Sequence, residues 1–148
     1  MTVYVTDTNI LFSAALNLAS GLAQFIVAKD SYQIKLIAPT YLKKEMQRLV
    51  PRLVEISKLS DEEIQSVVDF LYQQVVFTDD ADIPLAHYAR AAELVRDIDE
   101  DDISFVALSS YADVYLLTGD LELVTGLRSK GHHQVLTFKE LKEKHNIE

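Results

Sequence analysis

Short apolar runs alternate with longer amphipathic segments along the chain. The short runs are rich in branched residues, which predicts strands at positions 3–6, 34–38, 75–78, 114–117 and 134–137. The longer segments have apolar residues at helical spacing, which predicts helices at 10–28, 39–50, 59–74, 84–96, 102–112, 121–128 and 139–145. Strands that alternate with helices are typical of parallel sheets covered on both faces. The pattern therefore predicts an α/β fold, a three-layer α/β/α sandwich with a central, mostly parallel sheet.

Proline and serine residues mark several ends of the predicted helices. Pro39 suits the first position of a helix, because a missing N–H is not needed there. Pro51 is expected to end that helix near Val50 or to kink it. Ser60 and Glu63 have the spacing of a capping box, so a further helix is expected to begin beside them.

Length and composition are typical of one globular domain, here residues 1–148. Of the 148 residues, 49% are hydrophobic and 25% are charged, which is compatible with a substantial core. The absence of cysteine excludes a disulfide scaffold and any thiolate metal site. No apolar run approaches the roughly 20 residues of a membrane span, and the N-terminus lacks a basic leader region. We therefore expect a cytoplasmic protein with no membrane partner.

The net charge of −9 argues at first against a nucleic-acid partner, because phosphate binding depends on lysine and arginine. The charge is unevenly distributed, however. Positions 97–102 read DIDEDD, whereas Lys43, Lys44, Arg48 and Arg52 form a basic stripe at helical spacing. Cations bound by the acidic cluster would leave a less negative surface. An acidic surface that only confers solubility remains an equal alternative.

Two carboxylates follow predicted strands. Asp7 comes directly after the strand at 3–6, and Asp120 follows the strand at 114–117 within the sequence TGD. The functional crevice of an open parallel sheet lies at the carboxyl ends of its strands. Both carboxylates are therefore expected at the same edge of the sheet.

Further carboxylates lie on helices. Glu45 shares the apolar stripe of its helix, where an ionised carboxylate is costly unless a cation compensates it. Asp102 lies on the inner edge of the helix at 102–112, and Asp99 lies one turn earlier. The remaining acids of this cluster are expected to face solvent, namely Asp97, Glu100 and Asp101.

Each of these residues also has a purely structural interpretation. Asp102 and Asp120 stand at helix starts, where a carboxylate caps free N–H groups and complements the helix dipole. Asn9 is equally suited to a helix N-cap, and Glu45 to a partly exposed surface position. We favour a functional cluster because four acids fall on one predicted edge of the sheet.

The types of donor atom limit the metal ion. Carboxylate oxygens without thiolates favour hard cations, Mg²⁺ or Mn²⁺. His132 and His133 are adjacent before a predicted strand, so at most one of them points inward, and a loop position is favoured. Two such ions can activate water and stabilise the leaving oxygen of a phosphodiester. The sequence therefore favours the chemistry of a metal-dependent nuclease.

Several sequence blocks resemble those of the PIN domain family, the small metal-dependent ribonuclease fold of VapC-type toxins and related RNA-processing enzymes. The blocks are VTDTNILFSAAL, APTYLKKEMQRL, DEDDISFVALSSYADVYLLTGDLELV and VLTFKEL. They occur in the family's order and span nearly the whole chain. The resemblance implies a PIN-like fold, Mg²⁺ or Mn²⁺ as cofactor, and hydrolysis of RNA that leaves a 3′-hydroxyl and a 5′-phosphate.

The resemblance also implies roles for individual residues. The acids that would form the catalytic, metal-binding pocket are Asp7, Glu45, Asp102 and Asp120, with Asp99 as a supplementary metal ligand. The polar residues that would orient these carboxylates or a water molecule are Thr6, Asn9 and Thr118. Glu122 departs from the family pattern, because many members carry an aspartate there, and its role stays open.

Basic residues near these blocks are candidates for binding the RNA backbone. They are Lys43, Arg48, Arg52, Arg128 and Lys130. Each is also compatible with an ordinary solvated surface charge. Phosphate contacts position a nucleic acid without reading its sequence, so these residues would contribute affinity and not specificity.

The expected partners also follow from the resemblance. RNA would be the substrate, and positions 59–74 would correspond to a variable helical insertion that often helps to form a dimer or a partner-binding groove. A homodimer is therefore expected. A cognate antitoxin and a housekeeping role are both compatible with the sequence.

Two other functions stay open. A phosphotransfer domain of the haloacid-dehalogenase or receiver type would use Asp7 as a covalent nucleophile. Asn9 stands where such sites carry a second aspartate, however, and no lysine is prominent late in the predicted sheet. Alternatively, a non-catalytic module could keep the fold to bind RNA or protein.

Overall fold

A five-stranded parallel sheet forms the centre of the protein. The computed structural model describes residues 1–148. The strands are β1 (Thr2–Thr6), β2 (Ile34–Pro39), β3 (Val76–Thr78), β4 (Tyr115–Leu117) and β5 (Val135–Leu136). Their order in the sheet is β3-β2-β1-β4-β5, and every neighbouring pair is parallel.

Eight α-helices connect and follow the strands. They are α1 (Thr8–Leu16), α2 (Gly21–Ala28), α3 (Tyr41–Ser57), α4 (Asp61–Tyr72), α5 (Leu85–Val95), α6 (Ile103–Ala112), α7 (Leu121–Ser129) and α8 (Phe138–His145). Right-handed crossovers place α1 to α4 on one face of the sheet and α5 to α7 on the other. The packing agrees, since α1 contacts α3 while α5 contacts α6 and α7. The predicted three-layer α/β/α sandwich is confirmed.

The central position of β1 decides where a site can form. The chain leaves β1 toward β2, whereas β4 lies on the opposite side of β1, so the topological switch point lies between β1 and β4. Thr6 pairs with Leu117 at the ends of these two strands. The residues that follow, Asp7 and Thr118, therefore meet where an open parallel sheet forms its crevice.

The core supports this sheet on both faces. A single cluster of 36 buried hydrophobic residues includes Tyr4 and Val5 of β1, Phe105 of α6 and Leu116 of β4. Consecutive residues of β1 are buried because a central parallel strand is covered on both faces. No single helix has the length and hydropathy needed to cross a membrane. The pair Thr8–Leu16 and Gly21–Tyr32 together has sufficient length and apolar composition, but it is bent by 113° between the two segments.

The helix predicted at 10–28 is wrong, because two helices occupy this region. Asn17 leaves the helical conformation, with φ −150°, and its side-chain oxygen accepts a hydrogen bond from Ala19 N at 3.0 Å. Ser20 then caps α2 by accepting from Ala23 N at 3.1 Å. Short polar side chains that bond to the nearby backbone compete with a continuous helix.

The predicted boundaries around the two early prolines are also wrong. Pro39 ends β2, pairing with Thr78, and the helix begins at Tyr41. Pro51 does not end α3, which continues to Ser57. Burial of Leu53 beyond the proline favours continuation, because it offsets part of the roughly 3 kcal/mol cost of an interior proline.

The other predicted elements agree with the structure within two residues at each boundary. The capping box is confirmed: Ser60 Oγ accepts from Glu63 N at 3.1 Å, and Glu63 Oε1 accepts from Ser60 N at 3.2 Å. These elements are defined by local periodicity and capping, which the sequence displays directly.

Candidate active site

An acidic cavity of about 250 Å³ opens at the carboxyl ends of β1 and β4. Its lining brings together all five predicted acidic site residues with one arginine. The lining residues are Asp7, Thr8, Asn9, Glu45, Arg48, Leu49, Asp99, Asp101, Asp102, Phe105 and Asp120. Carboxylates from separate elements therefore share one concave surface. We call it the acidic pocket.

Asp7 is held rigidly at the base of the acidic pocket. It is the N-cap of α1, and its Oδ1 accepts a hydrogen bond from Ile10 N at 3.0 Å. Its Oδ2 accepts a short hydrogen bond from the Thr118 hydroxyl. Only 3% of the residue is exposed. Burial raises the pKa of Asp7 to about 7, although both hydrogen bonds oppose the shift, and the charges of Asp120 and Glu45 raise it further.

Thr118 joins Asp7 to Asp120. Its buried hydroxyl donates to Asp7 and accepts from Asp120 N at 3.0 Å. Asp120 is the N-cap of α7, with Oδ1 accepting from Glu122 N and Leu123 N at 3.0 and 3.2 Å. The structural interpretation of Asp120 as a cap is therefore correct. It is compatible with a second role, because capping uses only one carboxylate oxygen.

Asp102 stands at the N-cap position of α6, but its side chain does not cap the helix. It ends a short 3₁₀ turn, Glu100–Asp102, and its side chain makes no cap hydrogen bond to α6. Its Oδ2 is buried without any hydrogen-bond partner. Burial raises the pKa of Asp102 to about 8, and the neighbouring charges of Asp99, Asp7 and others raise it further. An orphaned buried carboxylate oxygen requires an explanation, and an ion that binds there is one.

Glu45 faces the acidic pocket from the second turn of α3 and is half-buried. Its Oε1 accepts a hydrogen bond from the Thr8 hydroxyl at 2.6 Å. Burial raises the pKa of Glu45, the Thr8 hydroxyl lowers it, and the charges of Asp101 and Asp99 raise it. Sequence reasoning missed Thr8. Its position directly after Asp7, at the first residue of α1, is the signal that could have identified it.

Asp99 and Asp101 line the outer part of the acidic pocket. Both are exposed, and Asp99 Oδ1 accepts from Asp101 N at 2.9 Å. Asp101 Oδ1 accepts from the Tyr41 hydroxyl at 3.3 Å. Asp101 is exposed, as expected. It also lines the acidic pocket, which the sequence did not predict.

The other predicted polar residues occupy different positions. Thr6 is buried, and its hydroxyl donates to the backbone oxygen of Asp7 at 3.4 Å, so it contacts the main chain and not the carboxylate. Asn9 is exposed in the first turn of α1 and lines the pocket, but Asp7 and not Asn9 is the N-cap. Glu122 is exposed and does not line the pocket.

Only one of the predicted RNA-binding cations on α3 lines the acidic pocket. That residue is Arg48. Lys43 Nζ lies 4.4 Å from the ring centroid of Phe77, and Arg52 Cζ lies 5.8 Å from that of Phe12. The long side chains of the basic stripe thus diverge toward different neighbours.

Arg128 and Lys130 lie at the far end of α7 from Asp120, which places Arg128 roughly 12 Å along the helix axis from the pocket. Arg128 is paired with Glu140 at 2.9 Å. Lys130 pairs with Asp97 and donates to a backbone carbonyl. The structure therefore does not bring these two cations to the acidic pocket.

The residues present fit a hard cation. The groups in the acidic pocket that could ligate a cation are carboxylates, which offer oxygen atoms. His132 and His133, which are adjacent in the sequence, lie outside its lining. No three of these side chains are already gathered closely enough to coordinate one ion. Mg²⁺ keeps several waters and is commonly bound through one or two carboxylates, so a preassembled set of three is not required.

The chain matches one family model and is similar to several solved structures. A family model described as PIN domain matches residues 5–142. Among solved structures, VapBC2 from Rickettsia felis, bound to a DNA fragment from its promoter, has a TM-score of 0.70 at 15% identity and covers 93% of this chain and 99% of its own. PAE2754 from Pyrobaculum aerophilum has a TM-score of 0.69 at 15% identity. The match covers 98% of this chain and 90% of PAE2754.

VapBC-1 from nontypeable Haemophilus influenzae is also similar, with a TM-score of 0.65 at 14% identity, covering 93% of this chain and 99% of its own. At these identities the similarity concerns the fold. No curated protein matches the chain.

Proposed function

The chain belongs to the PIN domain family, and from that premise we propose that it is a Mg²⁺- or Mn²⁺-dependent endoribonuclease formed by one domain, residues 1–148. The family consists in general of nucleases that use divalent metal ions. The observation that carries the proposal is the buried Oδ2 of Asp102, which has no hydrogen-bond partner and lies among other carboxylates. A divalent cation would satisfy this oxygen and relieve the repulsion among the acids.

The acids would divide two tasks between them. Asp7, Asp102 and Asp120 would hold the cation, with Asp99 as a supplementary ligand at the outer part of the pocket. A divalent cation supplies stabilisation of the charge that develops at the scissile phosphate and activation of the attacking water. Glu45 would accept the proton of that water at Oε2, because its Oε1 is already bonded to Thr8.

The positions of these side chains depend on their hydrogen bonds. Thr118 fixes the Asp7 carboxylate and the backbone of Asp120 together, so both acids keep their geometry without the cation. The Thr8 hydroxyl fixes Glu45 beside them. Burial raises the pKa of Glu45 above that of a free glutamate, which makes it a better proton acceptor near neutral pH.

Arg48 is the predicted phosphate contact at the acidic pocket, and Arg48→Ala is expected to weaken RNA binding. Affinity falls with rising salt, and loss of one phosphate contact should make the slope of log affinity against log salt shallower by about 1. Sequence preference should not change. Arg52→Ala is the matched control, because Arg52 lies on the same helix but against Phe12. Fluorescence anisotropy with labelled RNA in EDTA gives both slopes. Equal slopes for the two variants would contradict this role for Arg48.

A protein partner is also proposed. Two of the similar structures are VapBC proteins, which supports a cognate antitoxin for this chain. Exposed apolar side chains around α4, at Ile56, Leu59 and Phe70, support the expectation that this region forms a homodimer or a partner groove.

Assays with two substrates test the proposed function. The wild-type protein is expected to cleave RNA in Mn²⁺ and not in EDTA, and to leave a small aryl phosphate intact in either buffer. Hydrolysis of the aryl phosphate would favour the phosphotransfer alternative. RNA binding without cleavage in Mn²⁺ would favour a non-catalytic binding module.

A further inference from the structure

Gly126 of α7 lies directly against the side chain of Ile98. A Cβ atom at position 126 would lie 2.5 Å from Ile98 Cδ1 and 3.0 Å from Ile98 Cγ1. Rotation about the Cβ–Cγ1 bond of Ile98 could move Cδ1 away, but Cγ1 would still have to shift by a few tenths of an ångström. Gly21, by contrast, has no atom within 4 Å of the equivalent position. Packing against Ile98 therefore requires a residue without a side chain at position 126, whereas no such requirement exists at Gly21.

Ile98 anchors the segment that carries two acids of the pocket. It is the one apolar residue in DIDEDD, and it packs against the hydrophobic core. Its backbone N–H and that of Asp99 both donate to Val95 O, at 2.8 and 3.0 Å. The chain then enters the 3₁₀ turn that ends at Asp102. A displacement of Ile98 would therefore move Asp99 and Asp102 with it.

A second contact joins the same segment to α7. Lys130, just beyond the end of α7, pairs with Asp97 and donates to Leu94 O at 2.7 Å. The other end of α7 carries Asp120 as its N-cap. One helix thus holds Asp120 and also packs against the segment that carries the opposing acids.

We infer that Gly126 is a positioning residue, which lets Ile98 lie on the backbone of α7 and so sets the distance from Asp99 and Asp102 to Asp120. The inference rests on the proposed function, since it concerns the placement of proposed metal ligands. Residues that orient metal ligands typically change metal affinity or activity by about 10-fold to 100-fold when they are substituted.

Gly126→Ala tests the inference because the Ile98 contact predicts weaker metal binding, whereas helix propensity gives no reason for it. Alanine is favoured over glycine inside a helix, so propensity alone predicts a more stable protein. We expect instead that Mn²⁺ binding, measured by calorimetry, weakens by roughly 10-fold or more. The rise in Tm on addition of Mn²⁺ should shrink accordingly. Gly21→Ala is the matched control and should bind Mn²⁺ as the wild type does.

Rescue by a smaller neighbour gives the decisive comparison. Ile98→Val removes Cδ1, so the double variant Ile98→Val, Gly126→Ala should bind Mn²⁺ more tightly than Gly126→Ala alone. Unchanged binding in Gly126→Ala, or no recovery in the double variant, overturns the inference. If Gly126→Ala does not fold, Ile98→Ala removes the anchor without overpacking, and it should also weaken binding; wild-type affinity would overturn the inference.

The two levels of failure are distinguishable. If only the positioning role of Gly126 is wrong, the wild-type protein still binds Mn²⁺ and cleaves RNA. A wild-type protein that neither binds Mn²⁺ nor cleaves RNA overturns the proposed function and the positioning role together.

Discussion

Asp7→Asn is expected to stabilise the metal-free protein by about 2–4 kcal/mol near pH 8 while abolishing RNA cleavage. Asp7 is 3% exposed, and burial raises its pKa from 3.8 to about 7, so its ionised form is disfavoured in the folded state. Asparagine carries no charge and can still accept the hydrogen bond from Ile10. Its amide can donate to the Thr118 hydroxyl, which keeps the local packing.

The sign of the pH dependence follows from the same shift. A carboxyl whose pKa is raised on folding binds more protons in the folded state between the two pKa values. The stabilisation from protonated Asp7 is therefore complete below about pH 4 and is lost as the pH rises through about 7. Wild-type stability without metal should fall over this range, and the Asp7→Asn variant should fall less.

Denaturation with urea in EDTA at several pH values measures these differences. Mn²⁺ should then stabilise the wild type near neutral pH and leave Asp7→Asn unaffected. A variant that is less stable than the wild type at every pH, with no metal effect in either protein, would mean that Asp7 is only a helix cap. The nuclease proposal would then lose its central residue.

Asp102→Asn is expected to lower Mn²⁺-dependent RNA cleavage by about 100-fold or more, with folding retained. Its buried Oδ2 has no protein partner, so the substitution breaks no hydrogen bond at that atom. Because burial raises the pKa of Asp102 to about 8, ion binding must displace its proton, and wild-type Mn²⁺ affinity should rise with pH. This pH dependence should weaken in the variant.

Glu100→Gln is the matched control for Asp102→Asn. Glu100 lies in the same 3₁₀ turn and has the same charge, but it is exposed and does not line the acidic pocket. Single-turnover cleavage and calorimetry with Mn²⁺ on both variants separate a local role from general electrostatics. Equal activity of Asp102→Asn and the wild type would exclude Asp102 from the site.

The placement of the acids could be predicted because it depends on topology. Asp7 and Asp120 directly follow strands, and parallel strands end at one edge of a sheet. Glu45 and Asp102 could be placed by the face of the helix on which they lie. The basic residues could not be placed in this way, because long side chains choose among several neighbours. Arg48 reaches the pocket, whereas Lys43, five residues earlier on the same helix, lies against Phe77.

The helix boundaries that were wrong depend on a balance between local and distant interactions. Pro51 is unfavourable inside a helix by itself, yet α3 continues past it to bury Leu53 against the rest of the protein. The break between α1 and α2 has a local cause, in the side chains of Asn17 and Ser20, and the sequence did contain that signal.

The sequence by itself determined the alternation of strands and helices, the edge of the sheet at which the acids gather and the chemical type of the donors. These features depend on periodicity, capping and residue chemistry, which act over a few residues. Only the tertiary structure decided that Thr8 binds Glu45, that Asp102 keeps an orphaned oxygen and that Ile98 lies on Gly126. Such contacts join distant segments, and the packing of whole elements fixes them to fractions of an ångström.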